Sequence, residues 1–364
     1  MDRGRYTFQA LSAKYDDFRG PAFEIKVDGK PLKSAEMPIV SLEVELSADG
    51  SAGGCRFAVE SLFDYEKSAW TNNLAKIVQI GAKLEITAGY VKKEPVFFGY
   101  VDEYSMAYSG SAPPRLEVTG VDGLGFLMHC RKPVYGGKKA PKKIVEEILR
   151  QSVTAGYAKS VTVGTVGSFT APCVKEVLDD FRYLRLMSEQ YCMSLFCVNG
   201  ELIFDNVIRS TSPIMSLTVG AGLLNFGRRL SLHGQTGEVE IWGRDVNQKF
   251  IHGSANRVSI GGRGKSAVQY AEKFKTTVLR EYSEYVRTQN ECTKLAQARL
   301  DAQAMDFISG EGTCVGIPEL IPGRYINIRG LDGENNGTYF MSKVRHVFTR
   351  DGFYTKFEVK GAKT

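Results

Sequence analysis

The chain has 364 residues, of which 43% are apolar and 24% charged, and 47 basic against 41 acidic side chains leave a formal net charge of +6. That length supports two or three domains with their own cores, and the ordinary composition excludes bulk disorder and a fibrous repeat. The opening Met1-Asp2-Arg3-Gly4-Arg5-Tyr6 puts charges where a signal peptide needs an apolar core, and no run approaches the ~20 apolar residues of a spanning helix. The expectation is a protein made and kept in the cytoplasm until something carries it out, with no stable membrane insertion.

From Phe23 to Asp122 the pattern is almost all β. Phe23-Glu24-Ile25-Lys26-Val27 alternates and meets the turn signal Asp28-Gly29; Ser41-Leu42-Glu43-Val44-Glu45-Leu46 alternates again; Arg56-Phe57-Ala58-Val59 follows a glycine-rich turn. About six closely spaced strands predict a barrel or sandwich, and an antiparallel barrel has the advantage that closure removes exposed edges.

The texture changes after Cys130. Arg131, Lys132, Lys138, Lys139, Lys142 and Lys143 occur with no acidic residue between them. Such a cluster can bind phosphates, and a solvated loop leading into a helix explains it as well; no specific nucleic-acid partner is expected. Pro141 suits a first helical turn before Ile144, Val145, Ile148 and Leu149. A second helix is expected over 174–191, with Val174, Val177, Phe181, Leu184 and Tyr191 on one face. It runs into Leu195-Phe196-Cys197-Val198, Asn199-Gly200 and Leu202-Ile203-Phe204, a strong hairpin signal.

Strands resume at Glu238-Val239-Glu240-Ile241-Trp242-Gly243, and Thr288-Gln289-Asn290-Glu291 supplies a capping box for a helix to about Asp306. The last segment echoes the first. Gly81-Ala82-Lys83-Leu84-Glu85-Ile86, Phe97-Phe98 and Arg115-Leu116-Glu117-Val118-Thr119-Gly120 find counterparts in Gly323-Arg324-Tyr325-Ile326-Asn327-Ile328, Tyr339-Phe340 and Lys356-Phe357-Glu358-Val359-Lys360-Gly361. Gly81 to Phe98 and Gly323 to Phe340 are both 17 residues, and the spans to Gly120 and Gly361 differ by one. Two related β units are expected, the second split by an insertion; two units per chain can build a ring with twice the symmetry of the oligomer.

Catalytic signatures are missing. Gly261-Gly262-Arg263-Gly264-Lys265-Ser266 approaches a P-loop, yet the required glycine five residues before Gly264 is Ser259 and no apolar strand feeds the loop. His129, His233, His252 and His346 form no local metal motif, there is no HExxH, and no serine sits in a GxSxG elbow. The seven cysteines contain no CxxC pair, and Cys192 and Cys197 lack further ligands nearby, so reduced, mostly buried thiols are expected. No catalytic, cofactor-binding or metal residue is assigned, and the chain is read as a non-enzyme without cofactors.

The closing residues Ile321-Pro322-Gly323-Arg324-Tyr325-Ile326-Asn327-Ile328, Asn336-Gly337-Thr338-Tyr339-Phe340, Val344-Arg345-His346 and Tyr354-Thr355-Lys356-Phe357 resemble the end of phage late control D proteins. Pro21-Ala22-Phe23 with Asp28-Gly29, the Gly81 to Tyr90 strand, Phe98-Gly99-Tyr100-Val101, the Phe181 to Phe204 helix and hairpin, and Glu240-Ile241-Trp242-Gly243-Arg244-Asp245 match in order. These are contractile-tail baseplate hubs, related to the N-terminal part of VgrG proteins of type VI secretion.

The resemblance implies a mainly β fold with α/β insertions and two similar antiparallel β-barrel tube domains per chain. It divides the chain into an N-terminal arm at 1–20, a first tube barrel at 21–128 and an α/β insertion at 129–208. A discontinuous second barrel takes 209–245 and 311–364, around an insertion at 246–310 that carries the helix 288–306. It further implies a homotrimer joining the sixfold tail tube to the threefold spike, with tail tube protein, spike and other baseplate proteins as partners. The expected location is the bacterial cytoplasm during assembly, then the baseplate. Because the sequence stops at Thr364, the spike is expected as a separate chain. The rivals are a tail-associated peptidoglycan hydrolase and a carbohydrate-binding β module, the latter requiring exposed aromatic platforms.

Overall fold

A computed structural model describes residues 4–32, 39–60, 63–70, 77–110, 114–132, 140–166, 178–262 and 264–364. The first β unit contains β1 (Ala22–Val27), the two-residue β2 (Lys30–Pro31), β3 (Ile39–Ser47), β4 (Gly54–Glu60), the short pair β5 (Phe63–Asp64) and β6 (Ala69–Trp70), β7 (Lys83–Gly89), β8 (Lys93–Ala107) and β9 (Arg115–Asp122). A small layer of β10 (Ser160–Val163), β11 (Ser194–Val198) and β12 (Glu201–Asp205) follows. Then come β13 (Pro213–Val219) and β14 (Gly222–Leu230), a second small sheet of β15 (Glu238–Arg244), β16 (Phe250–Ala255) and β17 (Val278–Tyr282), and finally β18 (Ile308–Val315), β19 (Tyr325–Arg329), β20 (Gly337–Thr349) and β21 (Gly352–Gly361).

The C-terminal strands close. Their order is β19-β13-β14-β18-β21-β20, and β19 also pairs with β20, which makes a six-stranded barrel. The first unit continues the same sheet from β20 as β3-β4-β9-β8-β7-β1-β2. Among the described residues its strand pairing forms an open row, so one closed barrel is present where sequence reading expected two. The inward side chains of both units, Leu42, Val44, Phe57 and Val118 with Ile326, Val344, Phe357 and Val359, belong to one continuous core.

Local sequence explains the turns and ends. Asp28-Gly29 and Asn199-Gly200 carry positive φ (47° and 76°; 51° and 87°), which fits two-residue hairpins whose twist matches the flanking strands. The Thr288 hydroxyl accepts from the Glu291 N–H at 3.2 Å while the Glu291 carboxylate accepts from the Thr288 N–H at 3.1 Å, and this box starts the helix Gln289–Ala304. The helix Asp180–Tyr191 begins on an Asp179 cap and buries Phe181, Leu184 and Tyr191; Val174 and Val177, expected on the same helix, lie outside the described residues.

Glu238–Arg244 was expected in the second barrel and lies elsewhere. It forms the centre of the sheet β16-β15-β17, and its inward Val239 and Ile241 pack on Cys292, Leu295 and Ala296 of the helix Gln289–Ala304. Alternation marks a strand with one wet face but does not say which sheet receives it. Ile308–Gly310, expected in the insertion, pair with Val359–Gly361 in the barrel.

Candidate functional site

The two units share more than an outline. β3, β4, β9, β8 and β7 lie side by side in the order that β14, β18, β21, β20 and β19 repeat, and these strands also run in the same chain order. Gly81 and Gly323 hold φ of +82° and +80°. The Gly81 N–H donates to the Val101 carbonyl (2.8 Å) and the Val101 N–H to Ala82 (2.9 Å); Gly323 and Met341, then Met341 and Arg324, repeat this at 2.9 and 2.8 Å.

Two β-bulges also repeat. One falls between Val101 and Glu103 against β9 and between Met341 and Lys343 against β21; the other lies between Ile39 and Ser41 against β4 and between Leu223 and Asn225 against β18. A bulge inserts one unpaired residue at a fixed place in a ladder, so two coincident bulges align the units residue by residue. The likeness ends at the outer strand, since β1 runs antiparallel to β7 and β13 parallel to β19.

That alignment corrects the spacing argument. With Val101 equivalent to Met341, Tyr100 stands where Phe340 does, and Phe98 matches Thr338. Phe357 corresponds to Val118 and Val359 to Gly120, two residues from the match read in the sequence. Equal counts conceal the extra residues before Tyr100. A shift of two preserves the face, so Phe353, Thr355, Phe357 and Val359 are buried, with Lys356 and Glu358 exposed, as the closing-strand pattern requires.

The units meet where β20 pairs with β3. Six rungs run from Lys343 opposite Ser47 to Phe348 opposite Leu42. Arg345 faces Glu45 directly, with Nε to Oε2 at 2.9 Å, and reaches Glu43 at 3.1 Å; Lys343 Nζ lies 2.8 Å from Glu45. Burial works to raise the Glu45 carboxyl, but hydrogen bonds and charge from Lys343 and Arg345 outweigh it and hold the group below the usual carboxylate range. The hydrogen bond to Glu45 holds the Lys343 ammonium above its usual range. Alternating Glu43/Glu45 and Lys343/Arg345 were a signal available in the sequence, and the reading missed them.

The arm adds a second set of contacts between the two units. Tyr15, fully buried, donates to Glu319 Oε1 at 2.7 Å, and Lys14 bridges Glu319 (2.7 Å) and Glu94 (2.6 Å). Tyr90 donates to the Gly316 carbonyl at 3.0 Å, and the Tyr6 N–H to Ile214 at 2.7 Å. Residues 316–319 of the second unit are thus held by side chains of the arm and the first unit.

The other motifs stay apart. Ser266 caps the short helix Ala267–Tyr270 with Gln269, and the Thr364 N–H donates to the Lys265 carbonyl, so the described glycine-loop residues pack on the C-terminus; Arg263 lies outside the described residues. His129 and His233 are exposed, His252 stacks on Trp242 at 4.6 Å, and His346 is buried in the barrel beside Thr355. Among the described residues no group of His, Cys, Asp and Glu could hold a metal, and the six described cysteines are free. Of the basic cluster, Lys142 and Lys143 sit in the first turn of the helix Pro141–Thr154, and Lys138 and Lys139 lie outside the described residues. Two aromatic groups went unread: half-buried Phe63 and Trp70 with exposed Tyr65 on the β5–β6 ribbon, packed against exposed Tyr108 just past the end of β8, and half-buried Trp242 with exposed Phe250 and Tyr282 on the outer face of β15–β17.

A chain built from two related sheet units fused edge to edge, with small α/β layers inserted, has the fold of a group of tail proteins. It is similar to the 43 kDa tail protein of prophage MuSo2 from Shewanella oneidensis (TM-score 0.65, 16% identity, 93% of this chain and 97% of that one). It is similar also to a tail protein from Neisseria meningitidis MC58 (0.67, 14%, 94% and 96%). The E. coli c3393 protein, a type VI secretion component described as structurally similar to the T4 tail proteins gp27 and gp5, matches at 0.55 with 13% identity over 93% of this chain and 76% of that one. A family model described as the Alg8 N-terminal domain matches residues 20–350, and the chain belongs to that family, which is a different one from the late control D family of the sequence resemblance. No curated protein matches the sequence. Among the described residues no helix is long and apolar enough to cross a membrane.

Proposed function

We propose that this protein is a structural hub of a contractile tail or related injection system, a homotrimer that presents six similar sheet units and so joins a sixfold tube to a threefold spike. The observation that carries the reading is the internal repeat: five strands in one order, two bulges in one register and one glycine contact, twice in a single chain. Two related units per subunit give a threefold assembly a pseudo-sixfold face. The tail-protein fold supports the same reading. In it the first unit is a second barrel-like tube domain, the division into arm, barrels and insertions follows function, and the seam between β3 and β20 carries load without chemistry. Tube protein, spike and other baseplate proteins are the partners.

Light scattering coupled to size exclusion, followed by electron microscopy, tests this: the expected particle is a trimer with a central hole, formed alone or with the spike. A monomer that persists with the spike present overturns the hub. A cleared band in a peptidoglycan zymogram would put the rival hydrolase in its place.

A further inference from the structure

Among the described residues the repeat leaves two strand edges open in each chain. Beyond Val101, β8 keeps β9 on one side, but β7 has ended, and among the described residues Glu103–Ala107 have no partner on the other. In β20 the equivalent residues 343–348 have that second edge filled by β3. Conversely, β14 pairs with β18 along Asn225–Leu230 and, among the described residues, meets β13 only at Gly222 and Leu223, whereas its counterpart β3 is filled by β20. The chain therefore uses one copy of an edge-to-edge joint internally and carries the two halves of a second.

We infer that β8 of one copy pairs antiparallel with β14 of the next, in the register that β20 and β3 use within the chain; this rests on the trimeric reading above. The bulge alignment fixes the rungs. Arg345 opposite Glu45 becomes Ser105 opposite Arg229, Val344 opposite Leu46 becomes Tyr104 opposite Leu230, and Phe348 opposite Leu42 becomes Tyr108 opposite Phe226.

The side chains suit this pairing. The ion pair of Lys343 with Glu45 becomes Glu103 with Arg229, the same contact with its signs exchanged, and both are exposed in the single chain. Leu230 and Tyr108 are 41% and 56% exposed, and the joint would cover them as Leu46 and Phe348 are covered at the internal seam, where they are 2% and 5% exposed. An open sheet edge with apolar residues beside it invites a further strand. The contact is head-to-tail, each copy giving one edge and receiving the other, and such a contact closes into a ring when its rotation permits.

Two measurements test the pairing. Glu103→Arg and Arg229→Glu, both at exposed positions, are each expected to weaken self-association about tenfold or more while the circular dichroism spectrum stays that of the folded chain, and the double variant is expected to restore it. Ser105→Cys chains mixed with Arg229→Cys chains should yield, on mild oxidation, a disulfide joining those two positions by peptide mapping, and neither variant alone should yield it. An oligomer that ignores both reversals, or whose linked peptides join other strands, overturns this register and leaves the hub intact. A chain that stays monomeric with the spike present overturns both.

Discussion

Gly81 and Gly323 occupy the same place in the two units, at φ near +80°, each donating to the strand two places along the chain, yet their surroundings differ. A Cβ on Gly323 would lie 2.6 Å from the Phe196 ring, whereas one on Gly81 would meet only the Tyr157 hydroxyl at 3.6 Å. Left-handed backbone costs an L-residue roughly 1–2 kcal/mol. Gly81→Ala should lose about that much in denaturant unfolding and Gly323→Ala clearly more, because Phe196, buried in β11, must also move. Equal losses would contradict the crowding at Phe196.

On the closing strand, Phe357 is 2% exposed and fills space that Gly312 vacates, since a Cβ there would stand 2.5 Å from its ring. Phe357→Ala should cost about 3–5 kcal/mol through lost burial and a cavity. Lys356→Ala, on the wet face, should cost about 0.5 kcal/mol or less. Thermal or denaturant unfolding in the same oligomeric state decides; similar small losses would argue against a core strand.

At the seam, the Glu45, Lys343 and Arg345 side chains are 35%, 27% and 39% exposed, so water screens much of their attraction. Glu45→Gln should cost roughly 1 kcal/mol or less, and the loss should shrink as salt rises. A double-mutant cycle with Arg345→Gln at low and high salt measures the coupling, and a value independent of salt would show that packing, not charge, holds these side chains.

His346 carries a pH signature of its own. Burial disfavours its charged form and lowers its pKa from the ordinary 6.5 to about 4. As pH falls below 6.5 the unfolded chain takes up a proton that the folded barrel refuses, so this group's contribution to stability drops progressively until about pH 4, by about 3 kcal/mol in all, while buried Asp122, whose carboxyl is pushed up to about 7, acts in the opposite direction. Urea midpoints of the wild type and His346→Leu across pH 7.5 to 4 should diverge in that window. Parallel profiles would place the titration elsewhere.

Lys265→Ala should leave folding, assembly and function unchanged, because Ser266 and its neighbours are engaged in a helix cap and with the C-terminus. Calorimetry with ATP should show no binding to either protein; an affinity lost in the variant would restore the phosphate-loop reading.

Much of this was legible in local sequence. Asp28-Gly29 and Asn199-Gly200 fix their turns because few residue pairs accept positive φ, Thr288 and Glu291 start their helix by satisfying each other's backbone donors, and the alternation in β21 separates core from surface. The duplication was visible as well, because strand periodicity survives in both copies. Register was not: the two-residue offset between Phe98 and Phe340 arises from bulges and hairpin lengths, which change pairing without changing alternation. Nor could the sequence place β15 in its own sheet, close the C-terminal row into a barrel, or bring Arg345 against Glu45. Each depends on which strand fills which edge, and backbone hydrogen bonds between distant segments settle that only when the whole chain has packed.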